Sequence, residues 1–136
     1  MKVYVTKKAE FSAAHRLNNP MLSPEENERI YSKCNNLHGH GHNYTLEVTI
    51  CGEPDKKTGF LMDLKQLKEL INKEIIEKVD HMHLNYDVPF LKDINPTVEN
   101  LCVVFWQIIA PKIPNGSLYE IKISESQSSS VAYRGE

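Results

Sequence analysis

The stretch CNNLHGHGHNY, residues 34 to 44, combines one cysteine with three histidines at every second position. Imidazole and thiolate are the ligands that zinc prefers in proteins. Alternate side chains of an extended strand point to the same side, so His38, His40 and His42 can lie within reach of one small ion. Metal binding is therefore a better interpretation of this stretch than a polar loop that happens to be rich in histidine.

Cys34, at the start of this stretch, has two interpretations. It is a fourth ligand, which would make the metal site structural, or it is a nucleophile or base beside a metal held by histidines. A cysteine reacts as its thiolate, which needs a neighbouring group to form. Asp80 and His81, in VDHMHLN, offer such a group, because a carboxylate can orient an imidazole that takes a proton from a thiol. A polar cluster at the end of a helix explains that pair equally well.

Alternation of apolar residues predicts two long strands that position the histidines. From Val3 to His15 most apolar residues share the parity of His15, with Lys7 as the exception on that face, and from His42 the pattern continues through Tyr44 to Ile50. Such alternation is typical of strands with one buried face. If the two strands pair, His15 joins the histidines of the second strand at one end of the sheet. Three imidazoles with an open fourth position describe a catalytic zinc site.

The other elements are helices and shorter strands. Apolar residues recur at helical spacing after Asp63 and after Thr97, and a short helix is predicted within residues 16–37. Alternation predicts two more strands, near residues 119–123 and 131–133. The order strand, strand, helix, helix, strand, strand predicts an α+β fold. Its form would be a four-stranded antiparallel sheet with two helices on one face.

Three further polar residues lie at the ends of these elements. Glu125 shares the parity of the apolar residues before it, so its carboxylate ends an apolar face. Such a carboxylate needs a basic neighbour or a ligand with paired N–H donors. Thr97 and Glu99 are explained first by helix capping and by the favourable interaction of an acid with a helix N-terminus.

Composition restricts the class of protein. The 136 residues predict one domain, and 40% hydrophobic with 25% charged residues is typical of globular proteins. A net charge of −2 gives no electrostatic basis for binding nucleic acid or an anionic membrane. No apolar run could cross a bilayer, the N-terminus lacks a signal-peptide pattern, and the three cysteines are widely spaced. We therefore expect a cytoplasmic protein with reduced thiols, and open sheet edges that favour oligomerisation.

Six motifs, in order along essentially the whole chain, resemble one known family. They are FSAAHRL, CNNLHGHGHNY, GEPDKKTG, VDHMHLN, NPTVENL and the terminal SES…VAYRGE. Together they resemble the 6-pyruvoyl-tetrahydropterin synthase family, which includes the bacterial 6-carboxy-tetrahydropterin synthases of queuosine biosynthesis. The resemblance implies the tunnelling fold, in which three subunits join their sheets into a barrel and two trimers stack into a homohexamer.

The resemblance also implies roles for individual residues. The family's zinc ligands would be His15, His40 and His42. Its catalytic cysteine would be Cys34, and its aspartate–histidine pair would be Asp80 and His81. His38 then has no role. Five residues separate Cys34 from His40, as in the pyruvoyl enzymes, whereas three separate it from His38, as in the carboxy enzymes. The HNY that follows favours the first register.

The activity implied is that of a zinc-dependent lyase acting on 7,8-dihydroneopterin triphosphate, with no nucleotide cofactor. Glu125 would bind the aminopyrimidinone edge of the pterin, with Thr97 and Glu99 as further contacts. The favoured product is 6-pyruvoyl-tetrahydropterin, and 6-carboxy-tetrahydropterin is the alternative. A non-catalytic zinc protein, with Cys34 as a ligand of a closed site, is the alternative from a different class.

Overall fold

The computed structural model describes all residues from Met1 to Glu136. Helix α2 begins as an α-helix over Leu64–Ile71, widens into a π-helical turn over Asn72–Ile76 and ends with an α-helical turn over Glu77–Val79. The other elements, in chain order, are β1 (Val3–His15), α1 (Pro24–Tyr31), β2 (His40–Gly52), β3 (Met82–His83), α3 (Val98–Ile109), β4 (Ser117–Ser126) and β5 (Ser129–Tyr133). The α+β class predicted from the sequence is confirmed.

Strands β1 and β2 form the long antiparallel pair that the alternation predicts. Their register places His15 opposite His40 and Ala13 opposite His42. Phe11 and Tyr44 are buried and stack with ring centroids 4.8 Å apart, while their neighbours in sequence point outward. One face of this pair is therefore apolar and ends in histidines.

The sheet has five strands and is mixed, so the prediction of four antiparallel strands is wrong. The strand order is β3-β1-β2-β4-β5. The additional strand β3 pairs in parallel with Ala13 and Ala14 at the end of β1. Two residues are too few to carry an alternating pattern, so only the tertiary contact with β1 defines this strand.

Helix α2 contains a π-helical turn because of the spacing of its apolar residues. The buried residues Leu67, Ile71, Ile75 and Val79 recur every four positions. An α-helix has about 3.6 residues per turn, so a four-residue repeat drifts around its surface. A wider turn with i→i+5 hydrogen bonds corrects that drift and keeps the last residues facing the sheet.

The two long helices cover the apolar face of the sheet. Helix α3 packs its buried residues Leu101, Phe105 and Ile109 into the same core as α2 and strands β1, β2 and β4. The opposite face is polar. It carries a Thr6–Thr49 hydroxyl contact of 2.7 Å and ion pairs around Glu47. None of the helices is long and apolar enough to span a membrane.

Candidate active site

Three histidine rings meet where β1 ends and β2 begins. The ring centroids lie 5.3 Å apart for His15 and His40, 5.0 Å for His15 and His42, and 4.5 Å for His40 and His42. The strand register causes this convergence, because His15 pairs with His40 and His42 follows on the same side of β2.

The buried ring of His15 is held from behind, so that one nitrogen faces the other histidines. Its Nδ1 lies 3.0 Å from the carbonyl oxygen of Pro96 and 3.3 Å from the hydroxyl of Tyr44. An Nδ1–H that donates to the Pro96 carbonyl leaves the lone pair on Nε2. This backbone contact orients metal-binding histidines in many proteins.

The free nitrogens of the site suit a metal ion. The Nε2 atoms of His15 and His42 are buried without a hydrogen-bond partner. Burial lowers the pKa of both imidazoles, which favours the neutral form that binds metal. Ligand atoms within 4.8 Å of one another form two groups, one of His15, Cys34 and His40, the other of His15, His42 and Glu125. The three predicted ligands are divided between these groups, which share His15.

Cys34 lies beside the histidines because its 3₁₀ turn, Ser32–Asn35, is attached to the chain that leaves β1. The backbone N–H of Leu17 donates to the Cys34 carbonyl, and the Asn35 side chain donates to the Leu17 carbonyl, both at 2.7 Å. The Cys34 Sγ is 3.2 Å from His40 Nε2. Burial, and after it the charge of Glu125, raise the pKa of this thiol.

The other two cysteines are buried in the core. Burial raises the pKa of Cys102 to about 12, so this thiol is not a reactive group. Cys51 contacts only Ser117 among side-chain polar groups, at 3.6 Å. Cys34 is therefore the one thiol positioned for chemistry.

His38 does not continue the strand, so the sequence pattern is wrong in including it with His40 and His42. Strand β2 begins at His40, and His38 is exposed in the preceding turn. Gly39, between them, has a φ of +76°, and a Cβ there would lie 2.6 Å from the carbonyl oxygen of His15. A left-handed residue in this position ends the alternation.

Glu125, near the end of β4, lies against the same site. Its Oε1 is 2.7 Å from His42 Nε2, and 31% of its side chain is exposed. The two atoms are close, but their angles do not make a hydrogen bond. The sequence predicted either a basic neighbour or a ligand for this carboxylate. The structure provides the basic neighbour, His42, and the exposed part of Glu125 remains available to a ligand.

Asp80 and His81 pair with one another but not with Cys34. The Asp80 Oδ2 is 3.0 Å from His81 Nδ1, and its Oδ1 accepts from the backbone N–H of Ser12 at 2.9 Å. These contacts, led by the Ser12 hydrogen bond, lower the pKa of Asp80. The His81 side chain is 82% exposed, and its ring makes no hydrogen bond to the thiol within the chain.

Thr97 and Glu99 lie at the start of α3. The Thr97 hydroxyl accepts from the backbone N–H of Asn100 at 3.1 Å and so caps the helix. Glu99 is exposed in the first turn. Both residues therefore have the helix-terminal positions that the sequence predicts. The residue before Thr97, Pro96, contacts the site through its carbonyl oxygen, which lies beside His15.

Two open clefts flank the histidines on the polar side of the sheet. The His81 cleft, about 550 Å³, includes Ser12, His81 and His83. The Glu125 cleft, about 630 Å³, includes Lys8, Ser124 and Glu125. Both clefts are also lined by Gly41, His42 and Asn43. They therefore meet on strand β2, at a histidine of the metal site.

The sequence did not identify three groups that shape the site. The Pro96 carbonyl is a backbone group, so no residue type in the sequence indicates its role. Tyr44 was assigned only to the core, although a buried tyrosine hydroxyl needs a partner and Tyr44 follows His42 on the same face. His83, whose buried Nε2 has no hydrogen-bond partner, lies in a strand too short to recognise from sequence.

Comparison with known proteins gives the site its context. A model of the 6-pyruvoyl tetrahydropterin synthase family matches residues 4–136. The chain belongs to this family. It is 47% identical to a 6-pyruvoyl tetrahydrobiopterin synthase of Poecilia reticulata, covering 98% of the chain and 90% of that protein. It is 42% identical to the Homo sapiens protein of the same name, covering 97% and 91% respectively.

The family's fold is also that of this chain. The structure superposes on the 6-pyruvoyl tetrahydropterin synthase of Caenorhabditis elegans with a TM-score of 0.93 and 36% sequence identity, covering 100% of the chain and 97% of that structure. Membership of the 6-pyruvoyl tetrahydropterin synthase family, predicted from six sequence motifs, is thus confirmed by matches that span almost the whole chain.

Proposed function

We propose that this member of the family converts 7,8-dihydroneopterin triphosphate into 6-pyruvoyl-tetrahydropterin and triphosphate, as a zinc-dependent lyase. The observation that carries the proposal is that the buried Nε2 atoms of His15 and His42, which make no hydrogen bond, lie between Cys34 and Glu125. The names of the relatives that are 42–47% identical support the pyruvoyl product.

The metal ligands in this proposal are His15, His40 and His42. Bound there, zinc would supply Lewis acidity to substrate hydroxyls and positive charge beside the thiol. The Pro96 carbonyl holds the His15 tautomer that presents Nε2. The orientation of His15 thus depends on a contact that the folded chain makes before any ligand arrives.

Two groups move protons in the proposed reaction. Cys34, within 3.2 Å of His40 Nε2, exchanges protons with the substrate as a thiolate. His81, oriented by Asp80 at 3.0 Å, exchanges protons from the exposed side. The reaction rearranges hydrogen within the substrate and eliminates triphosphate, so it needs no external reductant.

Glu125 is the proposed anchor of the pterin ring. A carboxylate accepts two N–H donors at once, and the aminopyrimidinone edge of a pterin offers two adjacent donors. The exposed part of Glu125 lies in the Glu125 cleft, next to His42. Thr97 and Glu99 are the proposed further pterin contacts. The working form is a homohexamer of tunnelling-fold subunits in the cytoplasm.

The test is incubation of zinc-loaded protein with 7,8-dihydroneopterin triphosphate without oxygen, followed by mass spectrometry. We expect 6-pyruvoyl-tetrahydropterin and triphosphate, and no product from protein stripped of metal with a chelator. Acetaldehyde with 6-carboxy-tetrahydropterin would assign the chain to the carboxy activity instead. Bound zinc with no reaction would support the structural role.

A further inference from the structure

The 3₁₀ turn that carries Cys34 begins in a backbone conformation that its first residue does not favour. Ser32 opens the turn, Ser32–Asn35, with a φ of +51°, in the left-handed region that favours glycine. A residue other than glycine keeps such a conformation only where the surrounding structure holds it. Ser32 is exposed, so packing around it does not supply that hold. The constraint therefore comes from contacts further along the turn.

The contacts that attach the turn to the segment leaving β1 all lie at its last two residues. The Asn35 Nδ2 donates to the Leu17 carbonyl at 2.7 Å and to the Asn18 Oδ1 at 2.9 Å. The Arg16 Nε donates to the Asn35 carbonyl at 3.1 Å. The Leu17 N–H donates to the Cys34 carbonyl at 2.7 Å. The strained start of the turn is thus balanced by hydrogen bonds at its end.

Asn35 is the residue of the turn whose own side chain makes this attachment. Its amide has two N–H donors, and it makes hydrogen bonds to two acceptors. One acceptor belongs to Leu17, two residues after His15. Cys34 directly precedes Asn35, and its Sγ is 3.2 Å from His40 Nε2. The amide therefore connects the thiol to the strand end that carries one metal-site histidine and lies opposite another.

Asn27 holds the next part of the same segment and offers a matched comparison. Its Oδ1 accepts from the Asn19 N–H at 2.7 Å, and its Nδ2 donates to the Asn19 carbonyl at 2.9 Å. The same Nδ2 lies 3.3 Å and 3.0 Å from the carbonyl oxygens of Leu22 and Ser23. Asn27 is buried in helix α1, which contains none of the proposed metal-binding or catalytic residues. Its amide thus stabilises the segment without a reactive group beside it.

We propose that Asn35 is a positioning residue for Cys34, whose amide holds the strained turn so that the thiol stays beside the metal-site histidines. This inference rests on the proposed function for the use of that thiol in turnover. Without the amide, Ser32 can relax to a negative φ. The end of the turn then moves away from the segment that leaves β1, and Cys34 moves away from His40.

The experiment compares Asn35→Ala with Asn27→Ala, its matched control. We measure kcat and KM for 7,8-dihydroneopterin triphosphate, zinc content, Tm, and the rate at which iodoacetamide alkylates Cys34 in the full chain stripped of metal. Alkylation of the folded protein reports Cys34, because Cys51 and Cys102 are only 5% and 0% exposed. This rate measures the position of the thiol without any reference to turnover.

We expect Asn35→Ala to lower kcat about a hundredfold with KM and zinc content unchanged, because misplacing a reacting group by about 1 Å can cost that much. Alkylation of Cys34 should become about threefold faster or more, since a released thiol loses the burial that raises its pKa. Asn27→Ala should lower Tm and leave kcat and alkylation unchanged. If Asn27→Ala does not fold, Ser23→Ala, which removes the cap of α1, takes its place.

A second variant tests the role of strain in the turn. Ser32→Gly allows the left-handed φ without a steric cost, so the turn then depends less on its attachment. In the Asn35→Ala background it should restore part of kcat and slow the alkylation of Cys34. Ser32→Gly alone should leave both unchanged. A protein that was merely less stable would show no such rescue in a folded-state assay.

Other results would overturn the inference. Unchanged alkylation in Asn35→Ala would show that the turn keeps its place without the amide, whatever the effect on turnover. An equal fall of kcat in Asn27→Ala would assign the effect to general stability, and loss of zinc from Asn35→Ala would assign the turn to metal binding. A wild-type protein without turnover, together with faster alkylation in Asn35→Ala, refutes the proposed function but leaves the positioning of Cys34 supported.

Discussion

At the scale of the residue, the site depends on which nitrogen each histidine presents. His15 is nearly inaccessible, yet its Nδ1 has the Pro96 carbonyl at 3.0 Å while its Nε2 has no partner. A buried polar atom without a partner destabilises a fold, so it is retained where a ligand satisfies it. The buried nitrogens without a hydrogen bond are thus the atoms that would bind metal.

These histidines predict how the stability of the metal-free protein varies with pH. Burial lowers the pKa of His15 and His42 below the 6.5 of an unperturbed histidine. Their contribution to the free energy of unfolding is therefore complete above pH 6.5. It is lost as the pH falls below 6.5, since the unfolded chain then binds more protons than the folded chain. Urea unfolding with chelator between pH 7.5 and 5.5 should show a loss of the order of 1 kcal/mol. His15→Gln should flatten this dependence, whereas His38→Gln, at an exposed position, should follow the wild type.

The catalytic and the structural interpretations of the site assign different roles to Cys34: a proton-transfer group in the first, a metal ligand in the second. We expect Cys34→Ala to keep zinc and to lose at least about a hundredfold in turnover, as expected for a lost proton-transfer group. Metal analysis and steady-state kinetics measure the two effects separately. His38→Ala, in the adjacent turn, should preserve both. Loss of zinc from Cys34→Ala would make the thiol a ligand and refute its catalytic role.

At the scale of the element, the register of β1 on β2 assembles the metal site. A shift by one residue would turn every side chain to the other face, so the buried residues that define the core also determine where the histidines lie. Helix α3 contributes from the opposite direction, because the segment before it supplies the Pro96 carbonyl. The site is thus held by the same contacts that stabilise the sheet and its helical cover.

Thr97 tests whether the start of α3 has a role beyond capping. Thr97→Ala removes the acceptor for the Asn100 N–H and should cost about 1 kcal/mol of stability. Thr97→Asn restores a good cap without the hydroxyl. If the hydroxyl contacts the pterin, as proposed, Asn should recover Tm while KM stays raised. Recovery of both would leave Thr97 as a helix cap only.

At the scale of the whole molecule, the sheet ends in two incomplete edges. Strand β3 covers only Ala13 and Ala14 of β1, so the outer edge of β1 from Val3 to Ser12 has no strand beside it. At the other end of the sheet, β5 also lacks a further neighbour. Uncovered edges of this length favour pairing with another chain.

We therefore expect the protein to exist in solution as a multiple of its 15.6 kDa chain. Light scattering after size exclusion, together with native mass spectrometry, should give a mass close to six chains for the proposed hexamer. Three chains would indicate that trimers form without stacking. An active species with the mass of one chain would contradict the proposed homohexamer as the working form.

The sequence by itself determined much of this protein, because alternation, capping residues and motif order are local properties. From them came the long strands β1 and β2, the helices after Asp63 and Thr97, the α+β class and the family. Only the tertiary structure decided that β3 exists, that His38 leaves the strand at Gly39, and that Tyr44 and Pro96 hold His15. It also brought Glu125 to His42. Each of these depends on which distant segments meet, and contacts between segments far apart in the chain follow from packing, which no local pattern contains.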